Sequence, residues 1–422
     1  MTIQRRHKTM VAITVLVFLL CYPLCSSGKE IKIGVIYPLT GPAGATGQLL
    51  KKAVEFACDV INNKYALDIP LAKSQGITGL GGAKITVVYA DHQGKPDVGK
   101  KEAERLILKN KVKALFGCYY SSVTATASEV AERLKMPFLN ATSTSPTLTK
   151  RGFKWFFRTT PHDGLFAENF FQFLDDIKKK KGIDFSKFAI LGENTLWGVG
   201  VTRAELGFAK KYGYEAVAAI QYPAKCKSLL NEVKILKNLK PQILLQASYV
   251  SDAVLSMRAY KRLNFSPNAI LAMDAGFITP KFIRDLGNDA NYILSREVWS
   301  YDLGVKKPLV KTISDLFKKR TGKKMDGNSA RAFTGMIVLA DAINRAGSTD
   351  PRAIRNALSK THMSADQLIV PWKGIRFDPD THQNTQGRGI IVQIQDKAYH
   401  TVWPFDLASK DIIWPFPNWK KR

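Results

Sequence analysis

Short apolar runs alternate with amphipathic stretches along most of the chain. Residues 31–37 are mostly apolar, and a glycine-rich loop connects them to 49–61, where apolar side chains recur at helical spacing. The same order is repeated in the next part of the chain by predicted strands at 84–89, 112–116 and 136–139 and a predicted helix at 100–109. Because strands and helices alternate over short connections, this pattern predicts an α/β fold with a parallel sheet and helices on both faces.

The alternation starts again after Pro161. Four helices and four strands are predicted there: helices at 164–179, 199–212, 229–239 and 251–263, and strands at 188–191, 215–221, 242–246 and 269–273. A strand candidate at 390–394 is expected to complete this second sheet, with the C-terminal tail wrapped over its surface. Two similar sheets in one chain predict a hinged pair of Rossmann-like lobes with a ligand cleft between them.

Two polar stretches, at 117–122 and 141–145, directly follow apolar runs of the first predicted sheet. They therefore lie at the carboxyl edge of that sheet, where open α/β folds bind ligands. Ser121 or Ser122 is expected to cap the next helix, whose free backbone N–H groups would suit a carboxylate. The second stretch offers three hydroxyl groups, on Thr142, Ser143 and Thr144. Together they predict a cradle for a small anion-bearing solute; the alternative is ordinary helix caps in polar loops.

Residues 1–28 have the organisation of a secretory signal peptide. Basic residues precede an apolar core at 10–20, which is too short to span a bilayer, and small residues follow the core. Cleavage is expected after Gly28, giving a soluble protein exported to the periplasm. Cys21 and Cys25 raise the alternative of a lipoprotein, but each follows a leucine rather than a small residue. No later segment is long and apolar enough to suggest a membrane span.

The chain has 63 Lys and Arg against 35 Asp and Glu, a formal net charge of +28. A balance this basic can indicate a nucleic acid or an acidic membrane surface as partner. Here the basic residues form scattered pairs and short runs, such as 178–181 and 318–320, without an arginine–aromatic recognition motif beside them. We therefore expect solvated helix faces and no nucleic-acid partner.

Three cysteines remain after the predicted cleavage, Cys58, Cys118 and Cys226, so at least one is unpaired in a monomer. A Cys58–Cys118 bridge is the favoured pairing, and buried thiols are the alternative. The fold is not expected to depend on a disulfide.

Catalytic and cofactor motifs are nearly absent. There is no Gly-x-Ser-x-Gly or His-Glu-x-x-His sequence, and the six histidines show no metal-ligand spacing. The glycine-rich loop at 41–47 resembles a phosphate loop only superficially, because Gln48 stands where a lysine would follow. An enzyme using Ser121 as nucleophile would need a base within reach, and no histidine is placed at these loops. We expect no enzyme activity, no cofactor and no metal.

A series of segments occurs in a fixed order: 31–42, Gly47, 53–62, 117–124, 141–149, 157–161, 197–200 and 335–346. In this order, and behind a signal peptide, they resemble the leucine-type solute-binding proteins of ABC transporters, which have the type I periplasmic binding protein fold. The resemblance covers the whole predicted mature chain and implies two lobes joined by a three-crossing hinge. The implied first lobe is 29–159 with 300–362, the second is 160–299 with 363–422, and the crossings lie near Thr159, Ser300 and Met363.

The resemblance also implies ligand-binding roles. Ser121 matches a serine whose hydroxyl and amide meet the ligand's carboxylate, and Thr142 and Thr144 match a shelf that meets carboxylate and ammonium. Asp274 matches, within one position, the acidic residue that pairs with the ammonium. The other implied site residues flank these positions or are aromatic: Tyr119, Tyr120, Ser143, Trp197 and Tyr249.

Asp274 has no lysine or arginine within six residues on either side, so an ammonium from the ligand is its simplest partner. An N-cap for a helix near Thr279 is the alternative role. The several aromatic residues suggest a pocket larger or flatter than an aliphatic amino acid needs.

These observations predict a non-enzymatic receptor that captures an amino acid or related small carboxylate by lobe closure. It would present the closed form to the membrane permease of an ABC transporter, with ATP hydrolysis in a partner chain. The first alternative is a receptor for an aromatic carboxylate without an α-ammonium. A ligand-sensing ectodomain is less favoured, because no membrane span or signalling domain follows.

Overall fold

The computed structural model describes residues 30–419. The predicted signal peptide, with its cleavage after Gly28, lies outside the described residues. Across the described part of the chain, every helix is too short or too polar to cross a membrane.

The first sheet is fully parallel and has five strands in the order β2-β1-β3-β4-β5. These strands are β1 (Glu30–Tyr37), β2 (Lys84–Asp91), β3 (Ala114–Gly117), β4 (Phe138–Asn140) and β5 (Phe156–Arg158). The central strands are buried along their whole length, as expected for a parallel sheet with helices on both faces. We call this sheet and the helices packed on it the first lobe.

Within residues 30–419, six α-helices belong to the first lobe: α1 (Gly44–Asn62), α2 (Pro96–Leu108), α3 (Ser121–Arg133), α9 (Pro308–Thr321), α10 (Gly327–Ala346) and α11 (Pro351–Ser359). The last three come from late in the chain, and α9 and α10 pack against α1. Asp326 caps the N-terminus of α10. Apolar side chains lie on all faces of this helix, and it is therefore buried along almost its whole length.

The second sheet has seven strands in the order β14-β13-β10-β9-β8-β6-β7. These strands are β6 (Lys187–Glu193), β7 (Glu215–Tyr222), β8 (Ile243–Ala247), β9 (Ala269–Ala272), β10 (Leu294–Glu297), β13 (Ile390–Gln395) and β14 (Ala398–Trp403). The first five are parallel, and β13 and β14 add antiparallel at the β10 edge. The strand predicted at 390–394 therefore does complete this sheet.

Among the described residues, five α-helices pack with the second sheet: α4 (Asp163–Lys181), α5 (Leu196–Tyr212), α6 (Leu230–Leu239), α7 (Val250–Leu263) and α8 (Pro280–Leu286). We call this sheet and its helices the second lobe. The predicted α/β class with two lobes built on largely parallel sheets is confirmed.

Three segments connect the lobes. The first links β5 to α4, and the second, 298–307, links β10 to α9. The third, 377–389, runs beside the end of β5, where the Asn384 backbone N–H donates to the Arg158 carbonyl oxygen at 2.9 Å. The first and third segments are thus held together by backbone hydrogen bonds.

The third crossing comes later in the chain than the prediction near Met363. Met363 lies in β11 (His362–Ser364), which pairs with β12 (Gly374–Arg376) in a separate small sheet. Asp366, just after β11, lines a surface pocket together with residues 67–74 of the first lobe. The segment after Met363 therefore stays beside the first lobe before the chain returns.

All three cysteines of the described chain are free thiols, so the favoured Cys58–Cys118 bridge is not present. Cys58 lies on α1 and Cys118 follows β3, and both are buried. Burial raises the pKa of Cys58 to about 12, so it packs as a protonated thiol in the apolar core.

Gly47 provides a stability test of how closely α1 approaches the end of β1. A Cβ at this position would lie 1.9 Å from the Pro38 carbonyl oxygen. Gly47→Ala is therefore expected to lower the free energy of unfolding by roughly 1–3 kcal/mol, because backbone must move to relieve the overlap. Urea unfolding followed by circular dichroism measures the change.

Gly207 is the matched control for this substitution. It lies inside α5, and a Cβ there would have nothing within 4 Å. Gly207→Ala should stabilise by roughly 0.5–1 kcal/mol through helix propensity alone. Equal effects of the two alanines would contradict the tight contact at Gly47.

Candidate ligand-binding cleft

The first polar stretch forms the beginning of α3. The helix starts at Ser121, and its N-cap residue is Tyr120, which makes no side-chain capping bond. The expectation that Ser121 or Ser122 caps this helix is therefore wrong, since both already lie in the first turn. The Ser121 hydroxyl instead accepts a long hydrogen bond from the Ser145 N–H at 3.4 Å. The first turn thus keeps N–H groups that no side chain of the N-cap satisfies.

The second polar stretch is tied to the first by short hydrogen bonds. The Thr142 hydroxyl donates to the Cys118 carbonyl oxygen at 2.5 Å, and the Ser143 hydroxyl donates to the Tyr119 carbonyl oxygen at 3.1 Å. Ser143 also bonds Thr124 at 2.6 Å, so its hydroxyl is used within the lobe. The two stretches therefore form one rigid shelf.

Arg158 holds the backbone of the second polar stretch by hydrogen bonds. It is fully buried at the end of β5 and donates to the carbonyl oxygens of Ser145 at 2.7 Å and Ser143 at 3.4 Å. Burial lowers its pKa to about 9, still well above neutrality. A cation that binds these carbonyls fixes the backbone of the shelf.

A small cavity lies between the lobes, at the carboxyl edges of both sheets. The space that centres of water molecules can occupy is about 20 Å³, enough for one water. Its wall is formed by Tyr119, Ser121, Thr142, Thr144, Trp197, Tyr249, Asp274, Ala275, Arg296, Asn328 and Arg331. Of the residues predicted from the sequence, all but Tyr120 and Ser143 are on this wall.

Aromatic rings from both lobes meet beside the cavity. The Tyr249 ring centroid lies 5.6 Å from that of Tyr119, 4.4 Å from that of Tyr120 and 4.8 Å from that of Trp197. Tyr119 and Tyr120 belong to the first lobe, whereas Trp197, in the first turn of α5, and Tyr249 belong to the second. The closed cleft therefore has an aromatic wall that spans both lobes.

Asp274 is paired with two arginines, contrary to the expectation of an unpaired carboxylate. Its Oδ2 lies 2.5 Å from Arg296 Nη1 and 2.9 Å from Arg331 Nη2. Its Oδ1 accepts from the Ala275 N–H and so caps a short 3₁₀ helix, while Thr279 caps the next helix, α8. Asp274 is therefore an N-cap, but of this 3₁₀ helix and not of the helix near Thr279 that the sequence analysis considered. Asp274 has a φ of 58°, a costly conformation for a non-glycine residue.

The arginines connect Asp274 to both lobes. Arg331 comes from α10 of the first lobe, so its bond to Asp274 crosses the cleft. Arg296 comes from β10 and reaches Asp163 Oδ1 at 3.5 Å, and its guanidinium lies 3.7 Å from the centroid of the Phe166 ring. The Trp197 indole N–H donates to the same Asp163 oxygen at 3.4 Å. All four charged side chains are almost fully buried.

Arg296, Asn328 and Arg331 are wall residues that the sequence analysis missed. A signal was available for Arg331, because it is the only charged residue among positions 327–340, in an otherwise apolar helical stretch. Arg296 and Glu297 have the same character, being two charges in a segment that turns out to be a buried strand. Charged residues in buried positions are frequently functional.

Of the residues that line the cavity, none is a histidine, so Ser121 lacks the base that would activate it. Within residues 30–419, no three or more His, Cys, Asp or Glu side chains are grouped so that they could hold a metal ion.

Comparison with known proteins identifies relatives over nearly the whole chain. A family model described as periplasmic binding protein matches residues 30–398. The Leu/Ile/Val-binding protein homolog 7 of Brucella suis is 27% identical over 397 residues, which cover 92% of this chain and 95% of the relative. The resemblance inferred from the sequence is therefore confirmed.

Two solved structures share the fold. The substrate-binding protein LivJ of Streptococcus pneumoniae, in complex with isoleucine, has a TM-score of 0.74 and 19% identity; the match covers 92% of this chain and 100% of LivJ. An ABC-transporter solute-binding protein of Rhodopseudomonas palustris, in complex with 3,4-dihydroxybenzoic acid, has a TM-score of 0.73 and 18% identity, with coverage of 93% and 99%. These similarities confirm the predicted type I periplasmic binding protein fold.

Glu193 gives a prediction about pH, because it is buried at the end of β6 and accepts the Tyr249 backbone N–H. Burial raises its pKa to about 8. The pKa of this carboxyl is higher in the folded protein than in the unfolded chain, so between about pH 4.5 and about pH 8 the unfolded chain ionises it more readily. The free energy of unfolding therefore falls as the pH rises through this range. The slope is about 1.4 kcal/mol per pH unit for one group.

Glu193→Gln, which resembles the protonated acid, should remove this slope. We expect the melting temperature of the variant to equal that of the wild type at pH 5 and to exceed it at pH 8.5. The exposed Glu30 supplies the control substitution, Glu30→Gln, which should leave the pH profile unchanged. A constant difference between Glu193→Gln and wild type at every pH would contradict the raised pKa.

Proposed function

Because the chain belongs to the periplasmic binding protein family, we propose that it is the solute-binding receptor of an ABC importer, with a small carboxylate as its ligand. The ligand binds between the lobes, and the closed form is presented to membrane permease subunits on the outer side of the membrane. The observation that carries this proposal is the rigid shelf of Ser121, Thr142 and Thr144 on the cavity wall, beside the uncapped first turn of α3. ATP hydrolysis belongs to a partner chain.

Two ligand classes fit this proposal. LivJ was solved with isoleucine and the Rhodopseudomonas palustris protein with 3,4-dihydroxybenzoic acid, so the same fold accommodates both kinds of solute. The pairing of Asp274 favours a carboxylate without an α-ammonium. Both of its oxygens are engaged, and an ammonium would have to displace Arg296 or Arg331 from a buried position.

The aromatic wall supports the same choice. Rings at Tyr119, Tyr249 and Trp197 offer flat, apolar surface on both lobes, which suits a ring or another flat skeleton. We therefore place an aromatic or other flat carboxylate first. An amino acid, in which Asp274 would take the ammonium, is the second candidate.

Matched ligand pairs test the class. Isoleucine against 3-methylpentanoate and phenylalanine against 3-phenylpropanoate differ mainly in the α-ammonium, and 3,4-dihydroxybenzoate adds a flat aromatic acid. We expect an acid without the amine to bind at least tenfold tighter than its amino acid in isothermal titration calorimetry. At one hundred times its dissociation constant, the ligand should stabilise the protein by about 2.7 kcal/mol in thermal unfolding. Tighter binding of the amino acid in each pair would reverse the order of the two candidates.

Ser121→Ala tests the shelf. Loss of a hydroxyl donor to a buried carboxylate costs about 1.5–3 kcal/mol, so affinity for any bound acid should fall about tenfold to a hundredfold. Ser122→Ala is the matched control, since Ser122 is the next residue of the same turn but does not line the cavity. Equal affinities of the two variants would move the carboxylate away from Ser121.

A further inference from the structure

Arg331 and Asn328 bring unpaired hydrogen-bond donors to the cavity wall. The Asn328 side-chain oxygen accepts from Arg331 Nη2 at 2.5 Å, so the NH₂ group of the amide is not used by the guanidinium. That NH₂ group and Arg331 Nη1 have no hydrogen-bond partner among the atoms of residues 30–419, and neither does Nε of Arg296 on the second lobe. Both residues are at most 1% exposed, so water outside the cavity does not satisfy these donors.

The remaining nitrogens of Arg331 are already engaged. Nη2 bonds Asp274 and Asn328, and Nε donates to the Gly327 carbonyl oxygen at 3.3 Å. Only Nη1 is therefore left for a ligand. The two free donors lie on one turn of α10, three residues apart, where side chains of a helix are neighbours.

The wall does not offer a matching free carboxylate. Asp274 is the one carboxylate among the lining residues, and its two oxygens are bound to the Ala275 N–H and to the two arginines. Burial raises the pKa of the neighbouring Glu297 to about 8, so it carries little negative charge at neutral pH. This part of the cavity wall therefore has unpaired hydrogen-bond donors that only acceptor atoms of a ligand or a water can satisfy.

Building on the proposed function, we propose that Arg331 and Asn328 form a second recognition point and that the ligand is an acid carrying a second acceptor oxygen. One carboxylate meets the shelf at Ser121, and the other oxygen, from a second carboxylate or a hydroxyl group, meets Arg331 Nη1 and the Asn328 NH₂ group. Pairing two buried donors that are otherwise unpaired gives such a ligand an advantage over an acid with a single polar end.

Two matched series of acids test the second recognition point on the wild-type protein. The aromatic series is benzoate, 4-hydroxybenzoate and benzene-1,4-dicarboxylate, and the aliphatic series is pentanoate, 5-hydroxypentanoate and pentanedioate. We expect at least one acid with two polar ends to bind ten times or more tightly than the single-ended acid of its series, by isothermal titration calorimetry. Within each series, comparing the affinity of the hydroxy acid with that of the dicarboxylate shows whether a hydroxyl or a carboxylate oxygen is preferred at the second recognition point. Equal or tighter binding of both single-ended acids would overturn the proposal.

Asn328→Asp tests the residue directly. The substitution keeps the oxygen that accepts from Arg331 and replaces the NH₂ donor by a carboxylate oxygen, at the same volume. The two-ended acid should lose at least tenfold in affinity, while the single-ended acid changes less than threefold. Asn344→Asp, near the other end of α10, is the matched control, because Asn344 also uses its side-chain oxygen as an acceptor, from Gly79.

Arg331→Lys provides a second variant in case Asn328→Asp does not fold. This substitution keeps a cation beside Asp274 but removes Nη1. It should therefore also weaken the binding of the two-ended acid more than that of the single-ended acid. If both variants lose affinity for all acids to the same extent, Arg331 and Asn328 have a structural role instead of contacting the ligand. That result would overturn the second recognition point. If Ser121→Ala weakens the binding of the acids while Asn328→Asp weakens the binding of none, the proposed function stands without the second recognition point. If no acid binds the wild type, both proposals fail.

Discussion

Asp274 is buried between two arginines that come from different lobes, Arg296 from β10 and Arg331 from α10. Three buried charges of this kind are tolerated only while they remain together, because removing one partner leaves another charge desolvated, at a cost of about 3–5 kcal/mol. Arg331 and Asp274 lie on opposite lobes, so their ion pair joins the two sides of the cleft. The acidic group on the cavity wall is thereby already neutralised.

The helices that approach the cleft depend on a second constraint, which is repeated in the two lobes. A Cβ at Gly47 would lie 1.9 Å from the Pro38 carbonyl oxygen, and a Cβ at Gly198 would lie 2.0 Å from the Glu193 carbonyl oxygen. In each lobe the first helix after the first strand can start close to the strand end only because glycine stands there. In the second lobe this contact positions the residue before Gly198, which is Trp197 of the aromatic wall.

The sequence predicted the elements whose pattern is local, and it failed where charges are paired over long distances. The apolar runs and helical stripes located most strands and helices, because a parallel sheet needs continuous apolar strands. β10 was missed because its sequence, Leu-Ser-Arg-Glu, contains two charged residues that the fold buries. Asp274 appeared unpaired because its partner Arg331 is 57 residues away, beyond any local window.

The predicted site shows the same division. Ser121, Thr142 and Thr144 follow strands and could be placed at the sheet edge from topology alone. Whether a hydroxyl faces the cavity or the lobe depends on side-chain packing that no pattern encodes. The Ser143 hydroxyl is used by Tyr119 and Thr124, and it therefore does not reach the wall between Thr142 and Thr144.

The charges around the cavity act together on an approaching ligand. Asp163 and Asp274 are paired with Arg296, and burial raises the pKa of Glu193 and Glu297 to about 8, so neither glutamate carries much charge at neutral pH. Among the described residues at the cleft, the acidic side chains thus do little to repel an anion. The formal net charge of +28 attracts anions from a distance, and the effect weakens with salt. Long-range attraction and the local excess of donors therefore both support the ligand proposed above, a small organic anion.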